Sequence, residues 1–74
     1  MVSKKNLKAL DFNSIQEYYD YINDSVVNGQ RQQAIELAKD LSNAQRRECI
    51  HYYHAIGRSL ETNEACKIIL SYVR

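Results

Sequence analysis

At 74 residues the chain has room for one domain, near the size at which a single hydrophobic core supplies only about 3–5 kcal/mol and extra support is common. Ten basic residues against nine acidic ones leave a formal net charge of +1, which excludes a strongly basic nucleic-acid binder or an acidic tail acting through bulk charge. The two cysteines, Cys49 and Cys66, form no CxxC or paired Cys/His spacing, so neither a disulfide framework nor a structural zinc motif is announced.

Residues 1–12 read as a flexible basic N-terminal segment in which Lys4, Lys5 and Lys8 stand close together. Leu7, Leu10 and Phe12 can tuck onto the fold. A phosphate-contacting arm is the alternative reading of these lysines, which no base-reading motif accompanies. No apolar run here suits a secretory signal, and nowhere do 18 apolar residues follow one another. The expectation is therefore a cytoplasmic protein with no membrane contact, and unpaired cysteines suit such a reducing compartment.

The remainder, 13–74, reads as a single helical domain. Its first helix is expected from Ser14, with Ser14 and Glu17 at capping-box spacing. Ile15, Tyr18, Tyr19, Ile22 and Val26 recur at the helical period and form the inward stripe, with Glu17, Asp20 and Asp24 on the wet side and Tyr21 at the margin. Asn28-Gly29 is a stop, because glycine tolerates the left-handed conformation that follows a last helical turn. A second helix over Gln30–Leu41 turns Ala34, Leu37, Ala38 and Leu41 inward, with Ile35 widening the stripe. The short link makes the two an antiparallel hairpin.

This hairpin resembles part of a tetratricopeptide unit, in the order and spacing of Gly29, Ala34, Ala38 and Leu41 and in an aromatic at Tyr18. Ile22 stands where such units carry a small residue. One 34-residue period on, Asn63 and Ile68 do not repeat Gly29 and Ala34, so the likeness is one of hairpin packing and no binding residue is carried over.

Ser42 and Gln45 offer another capping box, opening a central helix over Ala44–Leu60 unless Gly57 breaks it. Cys49, Tyr52, Tyr53, Ile56 and Leu60 share one side of that helix. Arg47, His51, His54 and Arg58 fall on the other at i, i+4, i+7 and i+11, with Arg46 flanking them. Thr62 or Asn63 can cap a last helix, which is apolar on nearly every side. Such breadth exceeds what the three shorter helices can cover, so Ile68, Ile69, Leu70, Tyr72 and Val73 are expected to form a two-fold homodimer interface.

No chemistry-bearing motif stands out. A zinc site needs three or four converging ligands, whereas Cys49 points away from His51 and His54. Both cysteines lie on apolar stripes, where the thiol serves as a small hydrophobe. There is no glycine-rich phosphate loop and no paired-carboxylate motif. No metal, cofactor or catalytic residue is assigned. The candidate partner-binding set is Arg46, Arg47, His51, His54 and Arg58, directed at a protein partner or, alternatively, at a DNA phosphate backbone.

Two stretches, LDFNSIQEYYDYI at 10–22 and QRRECIHYYHAIGRSLE at 45–61, together with overall size, resemble the small helical early-region proteins of lambdoid bacteriophages, encoded between the recombination exonuclease and the excisionase. The resemblance implies a non-enzymatic accessory factor that binds a bacterial host protein and shifts host physiology or the lytic–lysogenic choice. The expectations are thus an all-α bundle of three to four short helices, dimeric, acting by protein contact in the host cytoplasm. The alternative is a DNA-binding transcriptional regulator using the basic helix face.

Overall fold

The helical periods become five helices in the computed structural model, which describes residues 1–57 and 60–73 and gives Leu60 and Glu61 by backbone alone. They are α1 (Lys4–Ala9), α2 (Ile15–Val27), α3 (Arg31–Asp40), α4 (Asn43–Ile56) and α5 (Leu60–Leu70). The described residues contain no strand, as expected of an all-α chain, but they hold five helices where three to four were expected. Among them no helix is long and apolar enough to cross a membrane.

The additional helix lies in the segment expected to be a flexible lead-in. Ser3 and Asn6 form a full capping box, and Val2 and Leu7 are buried in the common core. Two successive bonds close α1: the Phe12 amide donates to the Leu7 carbonyl at 2.8 Å and the Asp11 amide to the Lys8 carbonyl at 3.1 Å. This Schellman geometry needs a left-handed residue, and Asp11 supplies it at φ 62. The same closure ends α2, with Gln30 donating to Ser25, Gly29 donating to Val26, and Gly29 at φ 75 as the spacing required.

At the start of α2 the expected capping box does not form. Ser14 makes no side-chain cap bond, and the Glu17 carboxylate accepts instead from the Asn13 amide at 2.7 Å, one residue upstream. Ser42 and Gln45 do close the box that opens α4. That helix stops at Ile56, because Gly57 adopts φ 103 and ψ 170, a region essentially reserved for glycine. Ile56, expected to face inward, is consequently at the helix end and 55% exposed. The α5 helix starts at Leu60, so Thr62 is a buried first-turn residue rather than its cap.

Packing is organised around α2, which touches all four other helices, while α5 lodges against α2, α3 and α4. Ala34, Ala38 and Ala65 are fully buried, and their short side chains let these helices approach closely. Tyr18, Tyr19, Tyr53 and Ile22 supply the bulk. Each buried phenol is satisfied: Tyr18 donates to the Leu37 carbonyl at 2.7 Å, Tyr19 to Glu48 at 3.1 Å, and Tyr53 to the Tyr19 carbonyl. Burial pushes all three phenols above their ordinary ionisation range.

Candidate functional site

The apolar periodicity of α4 turns Cys49 and Tyr53 into the core, and the same twist presents Arg47, His51 and His54 on the exposed side. Tyr52, expected on the apolar side, is half-buried and donates to Asp20 at 2.8 Å. Arg58 and the side chain of Leu60 lie outside the described residues. Burial pushes the Cys49 thiol up to about 12, so at neutral pH it remains protonated and is a poor nucleophile. Among the described residues no three His, Cys, Asp or Glu side chains converge as metal ligands.

Arg46 has a different place from the one expected. Its guanidinium is half-buried and directed at the ends of two helices: Nε donates to the Ala38 carbonyl at 3.1 Å, one terminal nitrogen to Lys39 at 3.0 Å, and the other to Tyr72 at 3.0 Å. The first two carbonyls belong to the last turn of α3, where a cation also opposes the helix dipole. The guanidinium lies 6.0 Å and the Lys39 ammonium 5.9 Å from the Tyr72 ring centre, so the ring sits within cation–π range of both. A helical wheel assigns Arg46 to the rim of a basic face. Three planar donors matched to carbonyls from two other elements make it a tertiary clamp, and the basic face loses it.

The proposed homodimer residues are also redistributed. Ile68 and Ile69 are 4% and 0% exposed within the chain's own core, Tyr72 is half-buried beneath the two cations, and Val73 is half-buried. Only Leu70 of the five remains open, at 54%. The packing of α5 against α2, α3 and α4 places Ile68 and Ile69 in the chain's own core and leaves Leu70 at the surface.

One concave feature escaped the sequence reading. The N-terminal segment runs against the first turn of α4: the Val2 amide donates to Gln45 Oε1 at 3.0 Å and Gln45 Nε2 donates back to the Val2 carbonyl at 2.6 Å. Gln45 Oε1 also accepts from the Ser42 amide at 3.0 Å, so one side chain both caps α4 and holds the N-terminus. Between α1, the start of α2 and this turn of α4 lies a half-open groove of about 640 Å³. Val2, Leu7, Phe12 and Ile15 provide its apolar surface, and Lys4 and Lys8 stand along one side. Glu48 and Gln45 line the α4 side, where the Glu48 carboxylate already accepts from Tyr19. A smaller hollow of about 520 Å³, touched by Met1, Leu10, Tyr18 and Leu37, flanks the other side of the segment. The signal for the groove was Val2, Leu7 and Phe12, apolar residues interspersed with Lys4, Lys5 and Lys8.

No family model matches the chain, and no curated protein or solved structure shows significant similarity to it.

Proposed function

We propose that this protein is a non-enzymatic interaction module that binds another protein through the groove beside α1. The observation that carries the reading is the groove itself, whose accessible apolar surface comes from the half-buried Phe12 and Ile15 above the buried Val2 and Leu7. A groove of this size, apolar with a few polar groups at its margin, is the kind of concavity that proteins use for recognition. The likeness to phage early-region proteins supports the further reading of an accessory factor that acts on a bacterial host protein and so on host physiology or developmental choice.

The α4 face contributes Arg47, His51 and His54 as a second contact region, without Arg46. That depletion weighs against DNA, since a phosphate-tracking helix needs several cations free to release counterions. The test is a pull-down from bacterial lysate with the wild-type chain and an Ile15→Ser variant that strips the groove floor, beside a salt-dependent DNA titration. A protein captured by the wild type and lost with Ile15→Ser supports the reading. DNA binding that is steeply salt-sensitive and collapses in Arg47→Ala/Arg58→Ala overturns it in favour of a DNA-binding regulator.

A further inference from the structure

Resting on that reading of the groove, we infer the chemistry of its occupant: an amphipathic helical segment of a partner protein whose polar face is acidic. Three features of the site point this way. Phe12 and Ile15, both half-buried, present apolar surface at the floor, so the occupant brings an apolar face. The groove is half-open, so it suits a segment that remains solvated on one side better than a small molecule that must be enclosed.

The third feature is charge. Lys4 and Lys8 are spaced i, i+4 on α1, which sets their side chains one above the other along one wall. Both are exposed, and among the described residues no carboxylate forms an ion pair with either of them. The carboxylate on the opposite wall, Glu48, is held by the Tyr19 hydroxyl. Two exposed cations one helical turn apart match carboxylates at the same spacing on an incoming helix. A nucleic acid would find the lysines but would have to desolvate its phosphates against Leu7, Phe12 and Ile15.

Fluorescence anisotropy with the full chain tests the inference directly. Three labelled helical peptides share one leucine face and carry Glu, Gln or Lys on the other. The Glu peptide is expected to bind roughly fivefold more tightly than the Gln peptide at low salt, as two rim ion pairs allow, and the Lys peptide most weakly. A Lys4→Gln/Lys8→Gln variant removes that preference, so that the Glu and Gln peptides bind alike; both residues are exposed, and circular dichroism verifies the fold.

Equal binding of the Glu and Gln peptides overturns the acidic partner but leaves the groove standing. Binding of every peptide that is unaffected by Ile15→Ser overturns the groove itself. Failure of all three peptides to bind, or displacement of the Glu peptide by duplex DNA from the same lysines, likewise overturns the inference.

Discussion

Replacing Arg46 with alanine separates a surface cation from a structural clamp. The guanidinium donates to three carbonyls, those of Ala38, Lys39 and Tyr72, and stands over the Tyr72 ring. A hydrogen bond to a charged group contributes about 1.5–3 kcal/mol where it is well shielded. Arg46 is half-buried, and water can replace part of what is lost at the exposed Lys39 carbonyl, so the three do not add in full. A total of about 2–3 kcal/mol follows, against roughly 4–11 kcal/mol for a whole domain of this length. Each kcal/mol moves the melting temperature of so small a domain by about 4–8 °C, so Arg46→Ala is expected to lower it by about 8–24 °C.

Arg46→Lys should recover only a minority of this, because an ammonium on a flexible stem cannot reproduce a planar fork aimed at two helix ends. Thermal melts and urea titrations followed by circular dichroism, with exposed His51→Ala as the control, measure the difference. An Arg46→Ala protein that melts within about 2 °C of wild type, yet loses a binding activity, would refute the clamp and return Arg46 to the recognition face.

Other perturbations test separate parts of the fold. Among the described residues, chain neighbours apart, no atom lies within 4 Å of a Cβ added at Gly29 or Gly57, so backbone strain sets the cost of alanine there. Gly57→Ala, forced into the φ 103, ψ 170 region, should destabilise by about 3 kcal/mol and Gly29→Ala, at φ 75, by about 1 kcal/mol; chemical denaturation ranks them. Gln45→Ala removes half the α4 capping box and both bonds to Val2, so hydrogen exchange in residues 2–9 should accelerate well beyond the change in global stability. In alkali, the unfolded chain ionises Cys49 near its ordinary 9.0, whereas the folded chain holds the thiol up to about 12. The folded state therefore binds more protons across that window, and the contribution is full below 9.0 and lost as pH rises toward about 12. Tyr18, Tyr19 and Tyr53, all raised from 10.0 by burial, act in the same sense. Urea midpoints should fall from about pH 9 upward, and midpoints that stay level to pH 11 would contradict the burial of these groups.

The sequence alone determined those features whose causes are local. Tyr18, Tyr19 and Ile22 on one stripe, Ala34 and Ala38 on another, and Cys49 with Tyr53 on a third were legible because helical geometry repeats every 3.6 residues whatever surrounds it. The Ser42–Gln45 box and the Gly29 closure involve partners within five residues, and so could be read by spacing. Even here the reading at Ser14 was off by one residue, since Glu17 had a choice between two neighbouring amides and took that of Asn13.

Tertiary structure alone decided the rest. A wheel cannot say that Arg46 finds carbonyls at the ends of α3 and α5, the latter 26 residues away, or that Gln45 finds Val2 at a separation of 43. It cannot say that α5 packs against α2, α3 and α4 and so buries Ile68 and Ile69 within the chain. The groove follows the same rule: it exists only where α1 lies across α2 and α4, and no stretch of the chain contains it. Local propensity sets which face of a helix is apolar, but which other element covers that face depends on contacts made after long loops have closed.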